Sequence, residues 1–295
     1  MSDITEINSR LSRLAEGIAL PKAFLDRALP IADLIVSEQK GLYEDVRNDL
    51  KSREKHDRLI KALGCESDLA QMSIYMLLAL DSYELYKGKG LCDRIYFDSM
   101  KEITVWSKSN LKNYGIIGIR DQLDWISRFF TNELVRLVRL EFEIIDFPQG
   151  LIWNKFGLSV CPGDKVINIH IPEDGGLLPR EVSESFKEAY RYFGCTGLQV
   201  FVCNTWIIWP RNREFMDPYS NILAFMENFD IIYTEEAKNH RDLWRIFGRE
   251  HKEYTEKLPR ETGLQKRMAE FLKANDGVMG RGFGIFAHDG ERIYK

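Results

Sequence analysis

The prolines of this 295-residue chain are spread unevenly, and their spacing limits what its first half can form. After Pro30 no proline occurs until Pro148, and seven of the nine prolines lie from there onward. Glycine follows the same trend, with seven of 21 before residue 134. Because proline is excluded from helix interiors, the gap predicts a helical N-terminal domain over residues 1–133 and a second domain over residues 134–295.

The composition excludes several classes of protein. Hydrophobic residues make up 44% of the chain and charged residues 29%, a globular balance that excludes a disordered chain. With 41 Lys and Arg against 45 Asp and Glu, the net charge is −4. Because a nucleic-acid binder usually carries a basic face, the composition argues against nucleic acid as a partner.

The N-terminus and the cysteines bear on the compartment. The first residues, MSDITEINSRLSRL, lack the apolar segment of a signal peptide. The uncharged stretch Leu69–Leu80 has 12 residues, too few to span a bilayer. Five scattered cysteines without a CxxC pair, and five histidines without ligand spacing beside them, predict reduced thiols and no metal site. We therefore expect a cytoplasmic protein without a membrane segment.

Three helices are readable in the N-terminal part from their apolar spacing. The first is apolar on nearly all sides and is expected at the centre of its domain, with Ser67 or Asp68 as its cap and Gly88 as its end. A second is expected from about residue 93 to residue 114. A third is expected to begin near Asp121.

After residue 134 the hydrophobic period changes from helical to two, which indicates strands. In VRLVRLEFEII, over residues 135–145, every second residue from Val138 onward is apolar. In VINIHI, over residues 166–171, isoleucines alternate with polar residues. Each stretch is expected to form a half-buried strand with one polar face. The residues on these polar faces are Arg139, Glu141, Glu143, Asn168 and His170.

A crossover is expected after the second of these strands. A helix with Pro179 in its first turn and Gly194 just beyond its end leads into a third strand, LQVFVCNTW. Strand, helix and strand with short connections predict a right-handed crossover and parallel pairing. Further strands are expected at residues 222–225 and 229–233, then two helices and a hairpin at the last Asp-Gly pair. The fold class of this part is therefore α+β with a mixed sheet.

The polar strand faces are the first candidate site. If the two strands are neighbours, their polar residues line one sheet face, where a carboxylate beside an imidazole can act as a general base. This makes His170, Glu141 and Glu143 base candidates. The alternative is a solvated face with an ordinary ion pair between Arg139 and a glutamate. The residues alone leave both interpretations open.

The third strand offers a second candidate. Asn204 and Trp206 alternate with Cys203 and are expected to share one face that lines a pocket. The alternative for Trp206 is a core or interface aromatic. Cys203 with His170 as its base would make a thiol nucleophile. The alternative for Cys203 is an inert core residue, which is the commoner state of a cysteine within a strand.

Two glycine-rich segments could approach a phosphate. GVMGRGFG, over residues 277–284, contains G-x-x-G-x-G, so that amides near Gly280 and Gly282 and the charge of Arg281 are candidates to bind a pyrophosphate. A helix precedes the segment and a strand follows it, the reverse of a dinucleotide motif. Packing within a glycine-rich edge strand is therefore the alternative. The Gly-Gly pair of HIPEDGGLLP is interpreted as a plain turn, because its two acidic residues would repel a phosphate.

The order of these segments resembles a bacterial family of acyltransferases that join a helical N-acyltransferase N-terminal domain to a GNAT-like C-terminal domain. The resemblance extends over nearly the whole chain. It implies a GNAT-like mixed sheet with flanking helices over residues 134–295, with the helical domain docked on it. The segments that carry it are RLVRLEFE, NIHIPEDGGLL, PREVSESFKEAYRYF, FVCNTWIIWP, PYSNILAF, LPRETGLQKRM and GRGFGIF.

Acyltransferases of this fold bind acyl-CoA where two central strands splay apart. Their pyrophosphate usually lies at a helix N-terminus on an R/Q-x-x-G-x-G/A loop, and a glutamate or a water deprotonates the amine. This chain departs from that pattern, because Gly277 stands where the loop has Arg or Gln and the segment precedes a strand. The CoA loop of the family therefore cannot be carried over residue by residue.

Together these observations predict an acyl-CoA-dependent N-acyltransferase that uses acetyl-CoA or a longer acyl-CoA. The acceptor is expected to be an amine of a small molecule or peptide, which attacks directly with general-base assistance and without a metal. The alternative is a non-catalytic ligand-binding or interaction protein that retains the GNAT-like fold without a working CoA site. The candidates are His170, Glu143 and Glu141 for catalysis, Gly280, Arg281 and Gly282 for the cofactor, and Asn168, Asn204 and Trp206 for the substrate.

Overall fold

A computed structural model describes residues 4–295, and the chain divides into two compact units. The first unit comprises the described residues up to Arg136 together with Pro172–Asp174. The second comprises Leu137–Ile171 and Gly175–Lys295. In the described part of the chain, no helix is both long and apolar enough to cross a membrane.

The first unit is helical, as the proline gap predicts. The structure shows eight helices here within the described residues. They are α1 (Ile4–Gly17), α2 (Lys22–Glu38), α3 (Lys40–Asn48), α4 (Arg53–Leu63), α5 (Ser67–Gly88), α6 (Asp93–Met100), α7 (Glu102–Tyr114) and α8 (Leu123–Phe130).

The central helix of this unit is α5, and it is buried on nearly all sides. Of its 22 residues, 15 are buried, including Leu69, Met72 and Met76. The predicted cap is wrong, because Glu66 holds the N-cap position and no side chain caps the helix. Position and burial therefore followed from the apolar pattern, whereas the cap did not.

The helix expected over residues 93–114 is broken into α6 and α7 at Lys101. Its predicted end is confirmed, since Gly115 lies beyond α7 with a φ of 70°. That left-handed conformation is one that glycine adopts at little cost. The apolar spacing of the two helices together imitates one longer helix.

The second unit contains most of the strands and the remaining helices. Helix α9 begins with a proline in its first turn, as predicted. The strands are β1 (Val135–Leu137, which crosses the boundary of the units), β2 (Leu140–Asp146), β3 (Trp153–Lys155), β4 (Leu158–Val160), β5 (Lys165–His170), β6 (Gln199–Thr205), β7 (Asp230–Lys238), β8 (Val278–His288) and β9 (Ile293–Tyr294). The helices are α9 (Pro179–Tyr192), α10 (Asn221–Met226), α11 (Trp244–Phe247) and α12 (Gly263–Ala274).

The main sheet is mixed, as expected, and has the order β1-β2-β5-β6-β8-β7 with β9 beside β8. Strand β5 runs antiparallel to β2 and parallel to β6. The predicted parallel pairing of the two strands joined through α9 is therefore confirmed. The terminal hairpin is confirmed as well, because β8 and β9 pair antiparallel on either side of Asp289 and Gly290.

Two predicted strands differ from the structure. The strand over residues 135–145 is interrupted, because Val138 adopts a φ of 62° and Arg139 follows it in a turn. A β-branched residue rarely takes this conformation, so the pattern gave no sign of the break. Residues 222–225 form part of α10 instead of a strand, which reflects how poorly a short apolar run separates the two.

The sheet has two different faces. On one, which we call the aromatic face, rings from α9, β6 and β8 stack closely, with centroids of Phe186 and Phe286 4.9 Å apart and those of Phe201 and Phe286 5.2 Å apart. Phe225 of α10 joins this cluster through Phe229. The opposite face carries an apolar core beneath the β3–β4 hairpin, centred on Val202.

Candidate functional site

Three polar side chains meet on the face opposite the aromatic one, near the C-terminal end of β5. The register pairs Glu143 of β2 with Asn168 of β5, and Glu141 with His170. His170 Nε2 lies 2.6 Å from Glu143 Oε1, and Asn168 Nδ2 donates to the same oxygen at 3.2 Å. The two predicted strands are thus neighbours in the expected register. We call Glu143, Asn168 and His170 the polar cluster.

The short contact between Glu143 and His170 is a hydrogen bond, and Asn168 Nδ2 lies 2.9 Å from the same His170 Nε2, so the role of this nitrogen depends on the tautomer. Two lone pairs cannot approach to 2.6 Å, so a proton stands between Nε2 and Oε1. When the ring is neutral with that proton on Nε2, its lone pair is on Nδ1. A carboxylate that holds an imidazole in one tautomer prepares it to accept a proton. The pair therefore has the composition of a general base.

Burial distinguishes the members of this face. Glu143 is 8% exposed and Glu141 1% exposed, whereas the His170 side chain keeps 25% of its surface accessible. Of the three base candidates, the histidine is therefore the one that a substrate reaches most easily. The guanidinium of Arg139, which was predicted on the same face, donates to the carbonyls of Gly175 and Gly176 at 2.8 Å.

The backbone ladder between β5 and β6 is short. Only Ile167 with Phe201 and Asn168 with Val202 are in register, although β5 continues to His170 and β6 to Thr205. Beyond Asn168 the described parts of these parallel strands have no further registered pair with each other. The registered pairing of these two central strands thus ends next to the polar cluster, and we call the stretch beyond Asn168 and Val202 the opening.

Cys203 lies at the opening but on the aromatic side of the sheet. Cys203 is two residues from Phe201 on β6, so the two side chains lie on the same face of the sheet. The Cys203 thiol donates to the carbonyl of Ile169 at 3.4 Å. Burial raises the pKa of the Cys203 thiol to about 12. Since the thiolate is the nucleophilic form and His170 lies on the other face, the predicted thiol–histidine nucleophile is wrong.

A cleft of about 580 Å³ lies on the aromatic side, between the start of α9 and α10. Its lining is largely apolar and includes Pro179, Met216 and Leu223, with Tyr219 at the rim, 96% exposed. Its cation is Arg213, which pairs with Glu227. The volume falls in the range of small-molecule sites. We call it the α9–α10 cleft.

Helix α9 follows β5 in the chain after the connection over residues 171–178. In a strand–helix–strand crossover the helix is expected to begin at the edge of the sheet where the first strand ends. No side chain caps α9, whose N-cap is Leu178. The first amides of an uncapped helix are able to bind an anion. In the loop before it, the charge of Asp174 is matched by Arg136 at 3.0 Å and Lys101 at 3.5 Å, which weakens the repulsion expected from the sequence.

The glycine-rich segment at residues 277–284 does not form a loop. Gly280 and Gly282 lie inside β8, between β6 and β7, so the strand is not an edge strand either. A Cβ atom at Gly280 would lie 2.5 Å from Trp209 Nε1, and one at Gly282 would lie 2.5 Å from the carbonyl oxygen of Ile208. These glycines therefore permit close packing on β8. Their prediction as a pyrophosphate loop is wrong.

Arg281 is also turned toward the protein. Its Nη2 donates to the backbone carbonyl of Asn204 at 2.8 Å, and its Nε lies 3.7 Å from Asp242 Oδ2. Only 16% of the Arg281 side chain is exposed. The guanidinium thus has protein partners where the sequence suggested a phosphate.

Asn204 and Trp206 do not share a strand face. Asn204 is exposed near the end of β6, in register with Phe283. Trp206 lies beyond β6 in a 3-10 turn, Trp206–Ile208, and is 7% exposed in a cluster with Trp209 and Met268. The pocket role predicted for Trp206 is therefore replaced by a core role.

Sequence reasoning missed the α9–α10 cleft. Its residues come from a loop and two helix ends that are distant in the chain, and they carry no motif. One signal was present, since proline at the first turn of α9 marks a helix start just after a strand. In the described part of the chain, no group of three or more His, Cys, Asp or Glu side chains is arranged to hold a metal ion.

Several solved structures are similar to this chain in fold. An acyltransferase in complex with decanoyl-CoA has a TM-score of 0.68 at 15% identity, covering 94% of this chain and 87% of that one. An acyltransferase in complex with decanoyl-CoA and teicoplanin has a TM-score of 0.64 at 16% identity, covering 93% and 86%. A mutant acyltransferase in complex with octanoyl-CoA has a TM-score of 0.64 at 16% identity, covering 94% and 87%. At such identities the likeness shows the fold alone.

No curated protein matches the chain. The model of the N-acyltransferase N-terminal domain matches residues 9–132, and that of the GNAT-like C-terminal domain matches residues 134–286. The predicted resemblance and the α+β fold class are thereby confirmed. The chain belongs to the family that joins an N-acyltransferase N-terminal domain to a GNAT-like C-terminal domain.

Proposed function

We propose that this protein transfers an acyl group from acyl-CoA to an amine. One observation carries the proposal. The registered pairing of β5 with β6 ends beside the polar cluster, where Glu143 and His170 are in hydrogen-bond contact. A donor held in the cleft would present its thioester through the opening to an acceptor at His170.

The donor side suits a CoA thioester. The α9–α10 cleft is apolar enough for a pantetheine arm, and the uncapped start of α9 offers amides to a pyrophosphate. The fold relatives described above are acyltransferases in complex with decanoyl-CoA or octanoyl-CoA. We therefore propose acetyl-CoA or a longer acyl-CoA as the donor, bound by this cleft and not by Gly280, Arg281 and Gly282.

The polar side suits an amine. A free amine is largely protonated near pH 7 and attacks only after losing that proton. The carboxylates of Glu141 and Glu143 attract the cation, and the Glu143–His170 pair accepts its proton. The amine nitrogen then bonds to the thioester carbonyl carbon, the carbon–sulfur bond breaks, and CoA leaves as the thiolate. The base already holds the first proton, so the nitrogen's remaining excess proton goes to the CoA thiolate, which becomes the free thiol.

The acceptor is proposed only as a class. One fold relative is in complex with teicoplanin, and a glycopeptide of that kind is larger than most small molecules. We propose an amine on a small molecule or a peptide, with Asn168 and Asn204 at the edge of its site.

All five cysteines lie within the described residues and are free thiols, which suits the reducing cytoplasm.

Thermal unfolding with acyl-CoAs tests the donor half of the proposal. Acetyl-, octanoyl- and decanoyl-CoA, free CoA and ADP are added to the folded protein. A ligand at about 100 times its Kd stabilises by about 2.7 kcal/mol, a shift of several degrees. We expect a shift with at least one acyl-CoA. No shift with any of them would favour the non-catalytic alternative.

A variant that fills the cleft shows whether the shift comes from the proposed place. Ala224 is exposed on α10 and lines the cleft, so Ala224→Trp should abolish the shift. Ala62 is exposed on helix α4 of the other unit, and Ala62→Trp is the matched control that should keep it. Equal shifts in both variants would place the donor elsewhere.

A further inference from the structure

A polar network near the end of β6 takes no part in the proposed chemistry. It joins Arg281 of β8 to the segment between β7 and α11, where Asp242 and His240 are 5% and 2% exposed. Asp242 Oδ1 accepts from Arg245 at 3.2 Å, and the Asp242 amide donates to His240 Nδ1 at 3.1 Å. A partly buried guanidinium and a buried carboxylate thus form an ion pair at 3.7 Å, longer than a hydrogen bond.

The ion pair between Arg281 and Asp242 is also connected to strand β6. The same guanidinium that faces Asp242 donates from Nη2 to the carbonyl of Asn204. Asn204 belongs to the part of β6 that lies beyond the last registered pair with β5. The fork of an arginine holds two acceptors in a fixed geometry, which a lysine cannot do.

Buried ion pairs contribute little net stability, because desolvation offsets the attraction, and their best-attested use is to fix one arrangement. Here the ion pair fixes the position of the end of β6 relative to residues 240–245. On the β5 side that strand end has no registered pair, whereas on its other side β8 pairs with it as far as Thr205 and Gly282. The hydrogen bond from Arg281 Nη2 to the Asn204 carbonyl adds a side-chain restraint to this one-sided pairing.

We propose that Arg281, backed by Asp242, is a positioning residue that holds the end of β6 and so sets the width of the opening. The part that concerns activity rests on the proposed function. A loosened β6 end should weaken the binding of acyl-CoA and leave the proton transfer by Glu143 and His170 largely intact. Arg281 thus acts through Asn204 and does not touch the substrate.

Hydrogen exchange tests the restraint without any substrate. In Arg281→Gln we expect amides of residues 203–206 to exchange about tenfold faster, because local opening becomes easier. Arg241→Gln is the matched control, since Arg241 forms an exposed ion pair with Glu235 on the neighbouring segment. Unchanged exchange in Arg281→Gln, or an equal rise in the control, overturns the proposal.

Kinetics then separate positioning from chemistry. In Arg281→Gln the KM for the best acyl-CoA should rise about tenfold while kcat changes less than about threefold. Arg281→Lys keeps the charge and should restore little of either loss. Full restoration by lysine would show that charge alone suffices and would overturn the proposal. If Arg281→Gln does not fold, Asp242→Asn removes the other partner and should give the same exchange pattern.

The two proposals fail separately. If the wild-type protein binds no acyl-CoA, the proposed function fails and exchange at residues 203–206 still decides the role of Arg281. If acyl-CoA binds equally well to the wild type and to Arg281→Gln, and exchange is unchanged, the positioning role fails and the function stands.

Discussion

Strand β5 pairs over different lengths with its two neighbours. Toward β2 it has six registered pairs, from Glu141–His170 to Asp146–Lys165, and toward β6 it has two. The longer ladder brings carboxylates and an imidazole into contact across two strands. The shorter one ends beside them, at Asn168 and Val202. One strand thus carries an aligned polar cluster toward one neighbour and an early end of pairing toward the other.

The difference shows what a regular ladder can and cannot do. Full pairing fixes side chains to within the spacing of a sheet, which is what a carboxylate–imidazole contact needs. Full pairing also consumes the backbone groups and closes the space between strands. A site for a thioester needs well-fixed side chains on one side of the strand. On the other side it needs strands that are not fully paired, so that the thioester has room.

Breaking the polar cluster should have the largest effect. We expect His170→Ala and Glu143→Gln each to lower kcat by about 10²–10⁴-fold, because a positioned base contributes that much. If the two act as a unit, the double variant should be no slower than the worse single one. Asp146→Asn is the control, an exposed carboxylate on the same strand that pairs with Lys165. Single variants with wild-type turnover would exclude the pair as the base.

Crowding β8 should reduce stability more than activity per folded molecule. In Gly282→Ala the added Cβ meets the carbonyl oxygen of Ile208, so we expect a loss of about 1–3 kcal/mol in the free energy of unfolding. Gly176→Ala is the matched control, since no atom lies within 4 Å of its Cβ position. Chemical denaturation of both variants is the measurement. Equal stability of the two would contradict the packing account.

Removing the thiol at the opening should change little. Cys203→Ala should keep kcat/KM within about threefold, because a thiol whose pKa is raised to about 12 is not a nucleophile near neutral pH. A stability loss of about 1 kcal/mol is expected from the small void in a packed core. Steady-state kinetics check this. A hundredfold loss of turnover would restore the nucleophile hypothesis.

The smallest effect is expected at the other end of the β6–β8 ladder, where His288 faces Gln199. Burial lowers the pKa of His288, so between its unfolded value near 6.5 and its lower folded value only the unfolded chain takes up the proton. The free energy of unfolding should therefore fall as pH drops from about 7 to 5, by at most about 1.4 kcal/mol per pH unit for this group.

Replacing His288 tests that assignment. In the wild type the Gly290 amide donates to His288 Nδ1 at 2.9 Å. An asparagine at position 288 offers an oxygen that can accept this hydrogen bond, but its side chain does not titrate. The slope of stability against pH should be shallower in His288→Asn. Burial lowers the pKa of His56 and His240 as well, so part of the slope should remain. An unchanged slope would mean that His288 does not contribute.

The polar cluster could be predicted because strand alternation and pairing are local rules. Glu141 and Glu143 share a face by their spacing, and Asn168 and His170 do so by theirs. Only the assumption that the two strands are neighbours was needed. The parallel partner of β5 followed from the helix between the strands. The sequence pattern was sufficient wherever a period repeats.

The donor side could not be predicted for the opposite reason. The opening between β5 and β6 is a missing ladder, and no residue type marks where pairing ends. The turn at Val138 uses a conformation that its side chain disfavours, and the α9–α10 cleft combines distant loops. The glycines at 280 and 282 carried a pattern that also suits a phosphate loop, and only the place of Trp209 decides between the two.

The alternation of glycines along β8 has a consequence for how this protein would look in a survey of its variants. Gly280, Gly282 and Gly284 point to one side, and a Cβ on each would come within 2.7 Å of Trp209 or Ile208. Random mutagenesis scored by cell growth would therefore return a stripe of intolerant positions there, and a reader would take it for a ligand site. Scoring protein abundance and specific activity separately would place that stripe with the scaffold, and would leave His170 as the intolerant position that abundance does not explain.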